Sequence, residues 1–208
     1  DVVKAYLARL YFWTQNWEQA IPVAKEILDA YPLVEGAVYT DMLSARYAQQ
    51  GNVLLRSYLL TSSSGDVNYN SAKGYLPVKP VSKRFIDLFE EKERDVRYAF
   101  SFNAKREALK IPMACVRSAE MCLILAESHA YLNQTKEALD YLNLLRSKRI
   151  TGYTPYTMGN LPAVDEYALV RINAEGNAFT PLLWAIHCER RKELFMEGDR
   201  WFELKRNG

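Results

Sequence analysis

The sequence has little net charge, no long apolar run and no cysteine pattern that indicates a disulfide or a metal site. Lys and Arg number 27 against 25 Asp and Glu in 208 residues, a formal charge of +2. This balance excludes strong electrostatic binding of nucleic acid, which depends on a surplus of basic residues. No apolar stretch approaches the ~18 residues that predict a membrane span. The composition therefore predicts a globular chain with a sizeable core.

The three cysteines are Cys115, Cys122 and Cys188, an odd number without metal-binding spacing. Cys115 and Cys122 lie on one predicted helix, about 10 Å apart along its axis and beyond disulfide reach. Because free cysteine is usually buried, we predict that all three are small apolar core residues.

Common catalytic signatures are also missing, since no GxSxG, HExxH, Walker A or GxGxxG motif occurs. His129 lies in a predicted helix, where a core-facing or half-buried role is favoured over catalysis. His187 adjoins Cys188, but consecutive helical residues point about 100° apart and do not face each other. We therefore predict neither an enzyme nor a cofactor.

Aromatic residues make up 12% of the chain, more than a small helical core needs. Several tyrosines fall in irregular loops among Asn, Gly and Pro. A flat ring can stack on the apolar face of a sugar while nearby amides bind its hydroxyls. The candidate ligand-binding residues are Asn68, Tyr69, Asn70, Tyr75, Tyr153 and Tyr156. The alternative is that these tyrosines pack onto their own hairpins.

The first of these loops also invites comparison with a calcium site. Asp66, Asn68 and Asn70 alternate like the start of a calcium-binding loop. The glycine and the closing glutamate of such a loop are missing, so no metal is predicted.

Two segments predict helical hairpins. Apolar residues in 1–31 recur at three- and four-residue spacing, interrupted by one polar turn. Shifting the chain by 118 residues places Ala8 on Ala126 and Ala20 on Ala138, and small residues there allow close helix contact. The spacing resembles the tetratricopeptide repeat. We predict tetratricopeptide-like helical hairpins that carry long irregular loops.

The chain is predicted to be one domain made of hairpins near 1–31 and 115–149, a loop-rich insertion at 33–80 and a closing segment at 181–206. Residues 53–60 predict a strand or a buried extended segment. The patterns at 83–93 and 181–196 predict amphipathic helices. Gly198 is predicted to stop the second helix, and Asp199 to cap the next turn.

The closing segment places Glu189, Glu193 and Glu197 on one helical face, flanked by Arg190 and Arg191. Paired carboxylates could serve acid–base catalysis. Alternating opposite charges along a helix usually pair with one another, so we favour a structural ion-pair network. Four apolar residues of the segment are predicted to be buried with it: Phe195, Trp201, Phe202 and Leu204.

Residues 189–206 resemble the C-terminal signature of the SusD/RagB family of outer-membrane nutrient-binding lipoproteins, which reads E-R-R-x-E-L-x-x-E-G-x-R-W-F-D/E-L-x-R. Further stretches agree with the family in the same order, and the resemblance covers most of the chain. The further stretches that agree are 5–11 with 17–20, 85–89 with 95–97, and 117–121 with 126–128 and 142–146.

The resemblance implies an all-α superhelix that is lipid-anchored and surface-exposed at the outer membrane. Family members bind glycans or other nutrients and deliver them, without chemistry, to a SusC-like TonB-dependent transporter. Members are usually much longer, so we expect the middle and C-terminal part of a parent whose lipid-bearing cysteine is none of the three here. No site residue carries over by motif.

A second hypothesis comes from the hairpins alone. Tetratricopeptide-like repeats often form scaffolds that bind a peptide or protein partner in their concave face. The resemblance places nutrient capture first, and this scaffold role is the alternative.

Overall fold

The computed structural model describes residues 1–44, 51–58 and 80–207. Within these ranges the chain forms nine helices and one two-stranded sheet, which confirms the helical fold class. In chain order the elements are α1 (Val2–Trp13), α2 (Trp17–Ala30), α3 (Gly36–Ser44), β1 (Val53–Tyr58), α4 (Lys83–Ile86), α5 (Val96–Ser101), β2 (Met113–Arg117), α6 (Ser118–Tyr131), α7 (Thr135–Ser147), α8 (Pro181–Glu193) and α9 (Asp199–Arg206). No helix in the described ranges is long and apolar enough to span a membrane.

The hairpins α1–α2 and α6–α7 share one turn geometry. Gln15 and Asn133, which are 118 positions apart, both adopt left-handed backbone angles, with φ of 61° and 59°. Positive φ is uncommon for residues other than glycine, so its recurrence at equivalent positions is specific. Asn16 and Gln134 follow with φ/ψ of −85°/68° and −87°/67°. The backbone therefore repeats as the sequence does.

The two hairpins are separate in sequence but adjacent in space, because α2 packs against α6, which α1 also contacts. Four fully buried alanines bring the helices close together: Ala8, Ala20, Ala126 and Ala138. The ring of Trp17 stacks on that of Tyr131, with centroids 4.3 Å apart, and so joins the two hairpins. The hairpins thus form one continuous helical layer.

The strand predicted in the insertion is present. β1 pairs antiparallel with β2, and β2 leads directly into α6. The insertion also contains α3, which the sequence analysis did not predict. Tyr39, Met42 and Leu43 of α3 pack with Ile111 and Met113 in a second buried cluster.

The prediction of a helix over 83–93 is wrong except at the four residues of α4. The amide of Leu88 donates to the carbonyl of Phe85 at 3.2 Å, and that of Phe89 donates to Ile86 at 3.1 Å. These bonds span three residues rather than four, so they tighten the chain into turns. Phe85 and Phe89 both enter one aromatic cluster as a result.

The end of α8 differs from the prediction. The helix ends at Glu193 rather than at Met196, so Gly198 does not stop it. Gly198 has φ of 82°, a left-handed angle that suits glycine, and it directly precedes α9. Asp199 does not cap α9, because its carboxylate accepts hydrogen bonds from Nε and Nη2 of Arg190 at 2.9 and 2.6 Å. The carboxylate is therefore used by the preceding helix.

The predicted ion-pair network is confirmed, and it is buried. Glu193 is fully buried and meets Arg117 Nη1 at 2.6 Å, Arg149 Nε at 2.9 Å and Arg97 Nη1 at 3.5 Å. The flanking carboxylates also have buried partners: Glu189 binds Arg97, Arg146 and Lys192, and Glu197 binds Arg117 and Lys110. Burial alone would raise the pKa of Glu193, but Arg149, Arg117 and Arg97 hold it well below its usual range.

Three of the four apolar residues predicted to be buried are exposed instead: Trp201 (64%), Phe202 (44%) and Leu204 (39%). The reason is that α9 turns a polar side inward. Its Glu203 is buried, 2.6 Å from Nδ1 of His187, and Arg200 donates to its other oxygen at 2.5 Å. Phe195 is partly buried, as predicted.

The three cysteines are buried and His129 faces the core, as predicted, but Cys115 lies on strand β2 and not on one helix with Cys122. All three cysteines are free and buried, and burial raises the pKa of each thiol to about 12. His129 is also buried, and its ring stacks on Tyr141. These residues serve the core.

Glu193→Gln should lower the free energy of unfolding by about 3–5 kcal/mol, because three buried guanidinium groups would lose their shared carboxylate. Urea denaturation followed by circular dichroism measures this loss. Lys136→Ala is the control: it breaks the exposed pair with Asp140 and should leave the midpoint unchanged. A loss below about 1 kcal/mol in Glu193→Gln would contradict the structural role.

Stability should also fall in acid. Burial raises the pKa of Glu203, but His187 and Arg200 outweigh it and lower the value from 4.5 to about 2. A carboxyl whose pKa is lowered by folding stabilises the fold at any pH above its pKa in the unfolded chain. This contribution is lost as the pH falls towards the pKa in the folded chain. The free energy of unfolding should therefore decrease from pH 4.5 towards 2, with a shallower slope in Glu203→Gln. Equal slopes would show that Glu203 does not contribute.

Candidate functional site

A cavity of about 260 Å³ opens between three separate parts of the chain. Helix α8 forms one wall, the turns after α4 form the second, and the loop that follows α7 forms the third. The lining residues are Arg84, Asp87, Leu88, Glu90, Tyr156, Pro162, Ala163, Asp165, Trp184, Ala185, Cys188, Glu189 and Lys192. This cavity combines the aromatic rings of Tyr156 and Trp184 with many charged groups, so it is more polar than most small-molecule sites and suits a hydroxyl-rich ligand.

The structure brings one of the six predicted site residues, Tyr156, into this cavity. Tyr153, three positions earlier in the same loop, is half-buried and does not line it. The other four predicted residues lie outside the described residues: Asn68, Tyr69, Asn70 and Tyr75. The calcium-like pattern that begins at Asp66 also falls there.

The side chain of Asn143 on α7 fixes the loop that carries Tyr156. Its Nδ2 donates to the carbonyl of Tyr156 at 2.9 Å, and its Oδ1 accepts from the amide of Tyr156 at 2.8 Å. Asn160 closes the loop further, because its Oδ1 accepts from the amide of Thr157 at 2.6 Å. The loop is therefore held on a rigid helix, as binding loops commonly are.

The ring of Tyr156 is oriented by charged neighbours. The guanidinium carbon of Arg146 lies 3.8 Å from the ring centroid, and the hydroxyl donates to Glu90 Oε2 at 3.3 Å. Burial raises the pKa of the Tyr156 phenol, so the hydroxyl stays protonated at neutral pH and can donate. Arg146 covers one face of the ring, and the ring also packs beside a buried cluster that includes Leu182 and Ala185, so only part of it lines the cavity.

The rim carries charges of both signs and holds a second loop. Arg84 Nη1 donates to the carbonyl of Tyr167 at 2.7 Å, and Asp165 Oδ1 accepts from the amide of Tyr167 at 2.9 Å. A hydrogen bond from Lys83 lowers the pKa of the exposed Asp87, which therefore stays an acceptor at neutral pH. The rim thus offers both donors and acceptors to a hydroxyl-rich ligand.

Glu189 lines the cavity, but three cations hold it in place. Burial alone would raise its pKa, yet Arg97, Lys192 and Arg146 together lower it well below the usual range. A general acid must carry a proton near neutral pH, which this carboxylate does not. The arrangement therefore favours binding over acid–base chemistry.

Sequence reasoning did not find the walls formed by Asp87, Glu90 and Asp165. Asp87 and Glu90 are far from Tyr156 in sequence, Asp165 lies later in the same loop, and none of the three carries a motif of its own. Only the packing of the α4 turns against α8 brings them together. No local signal could have indicated this.

Comparisons with known proteins agree with this architecture. The sequence profile of the SusD family matches residues 8–208. The fold is similar to those of a SusD-like carbohydrate binding protein from Bacteroides vulgatus (21% identity, TM-score 0.65), a SusD superfamily protein from Parabacteroides distasonis (14%, 0.65) and a SusD-like carbohydrate binding protein from Bacteroides fragilis (18%, 0.54). Each likeness covers 99% of this chain.

The chain spans about half the length of these solved proteins, namely 44%, 51% and 51% of theirs. At these identities the likeness shows the fold alone. Comparison with curated proteins found no match.

Asn143→Ala should free the loop around Tyr156, because both of its hydrogen bonds to the backbone are lost. We expect faster hydrogen exchange across 151–162, measured by mass spectrometry, and a loss of about 1–2 kcal/mol in unfolding free energy. Asn143→Asp keeps the acceptor and should preserve protection of the Tyr156 amide. Unchanged exchange in Asn143→Ala would exclude the proposed anchoring.

Proposed function

Since the chain belongs to the SusD family, we propose that it binds an oligosaccharide at the Tyr156 cavity and delivers it, unchanged, to a TonB-dependent outer-membrane transporter. Two of the similar solved proteins are described as carbohydrate binding. The observation that carries the proposal is the fixed ring of Tyr156 among polar side chains of both signs. The protein then acts as a binding subunit and not as an enzyme.

Recognition would combine stacking with hydrogen bonds. A sugar ring stacks on the part of the Tyr156 ring that lines the cavity, while carboxylates such as Glu90 and Asp87 accept from its hydroxyls. At about 260 Å³ the cavity is smaller than most drug-sized pockets, so it admits only part of an oligosaccharide. The remaining units lie outside the cavity.

Further contacts are proposed from loop position. They are Asn68, Tyr69, Asn70, Tyr75 and Tyr153, which would extend the binding surface beyond the cavity. The family membership supports a cell-surface location at the outer membrane, through a lipid anchor carried by another part of the parent protein. The partner would be a SusC-like transporter.

Tyr156→Ala should weaken oligosaccharide binding about tenfold or more, since the stacking surface is lost. A panel of neutral and acidic oligosaccharides is screened by thermal shift, and the tightest binder is then titrated calorimetrically into each variant. Tyr156→Phe keeps the ring, loses only the bond to Glu90 and should bind within a few-fold of wild type. Tyr6 on α1, which is exposed and does not line the cavity, provides the control, Tyr6→Ala, which should bind normally.

Two outcomes would count against this function. If Tyr156→Ala binds as well as wild type, the ligand lies elsewhere on the chain. If the full-length parent binds no oligosaccharide and captures a soluble peptide-bearing partner from an outer-membrane extract, the scaffold hypothesis replaces nutrient capture. Capture of a large β-barrel transporter supports delivery.

A further inference from the structure

A second, larger cavity of about 380 Å³ lies beside the turn between α8 and α9. It shares no lining residue with the Tyr156 cavity. Its walls are apolar, with Phe85, Leu194 and Phe195 among them, and two successive arginines of α8, Arg190 and Arg191, line it as well. This combination differs from the polar rim around Tyr156.

The charges around this cavity do not cancel. Arg190 is paired with Asp199, and Arg200 is paired with Glu203 at 2.5 Å. Arg191 has no carboxylate at ion-pair distance among the described residues, and its guanidinium lies 5.5 Å from the ring centroid of Phe85. One positive charge is therefore left over.

A buried donor is also left without a partner. Arg190 is only 1% exposed, yet its Nη1 makes no hydrogen bond among the described residues. Buried polar groups are almost always hydrogen-bonded, because an unpaired one costs free energy. Arg190, which lines the cavity, therefore has donor capacity that the described residues do not use.

The state of Arg191 agrees with an incomplete site. Its pKa is lowered, first by burial and then by the nearby charge of Arg200. A bound anion would oppose both effects, since it stabilises the charged guanidinium.

We propose that this cavity binds a small monocarboxylate with an apolar body. The planar guanidinium of Arg191 matches the two oxygens of a carboxylate and supplies the one surplus charge. Phe85, Leu194 and Phe195 cover the apolar body. A free sugar is less suited, because it would place its hydroxyls against these apolar walls.

The first test compares 3-phenylpropionate with its neutral amide on the wild-type chain by protein-observed NMR titration at pH 7. The acid should saturate with a millimolar dissociation constant, and the amide should bind at least tenfold more weakly. Glucuronate, an acid with a polar body, should also bind at least tenfold more weakly. Equal binding of acid and amide, tighter binding of glucuronate, or no saturation by the acid would overturn the proposal.

The second test asks whether Arg191 supplies the positive charge that binds the carboxylate. Arg191→Met should weaken 3-phenylpropionate at least tenfold, whereas Arg191→Lys, which keeps the charge but not the planar fork, should lose less. Arg171→Met removes an exposed arginine elsewhere and should bind normally. Unchanged affinity in Arg191→Met would contradict the assignment. The result is independent of oligosaccharide binding, because the two cavities share no lining residue.

Discussion

The fold depends on charges that are buried and must therefore be paired. Glu193 is enclosed by guanidinium groups from three other parts of the chain: Arg97 of α5, Arg117 at the end of β2, and Arg149 just after α7. An unpaired charge inside a protein is far more costly than an unpaired apolar group. Glu193 keeps all three of its ion pairs only when α5, β2 and the end of α7 are all in place. The network therefore specifies one arrangement of α8 against its neighbours.

The same network supports the candidate binding cavity. Arg146 binds Glu189 at 2.7 Å and also covers one face of the Tyr156 ring. The position of the tyrosine therefore depends on the ion pairs of α8 as well as on Asn143. A site assembled on such a framework needs little reorganisation when a ligand arrives, which favours affinity.

Features with a local cause could be predicted from the sequence, whereas those set by long-range packing could not. The hairpins follow from apolar periodicity, and the spacing of Glu189, Glu193 and Glu197 was enough to predict ion pairs. The prediction of which side of α9 faces inward was wrong. The buried residue of α9 that contacts His187 is the charged Glu203 and not an aromatic residue. Tyr156 was found by loop composition, but the other two walls of its cavity come from the turns after α4 and from α8, two distant segments that share no pattern with its loop.

The contact between α2 and α6 has a consequence for the chain between them. Since this contact holds Ala30 and Ser118 within one helical layer, the intervening residues form an excursion with fixed ends. The entropy of closing such an excursion grows only with the logarithm of its length, about 0.6 kcal/mol for each doubling. Length changes within this stretch cost little only where they leave Arg97, Lys110 and Arg117 in place, because these residues pair with the buried carboxylates of the closing segment. The parts between those contacts are the natural place for relatives to acquire different surfaces on an unchanged frame.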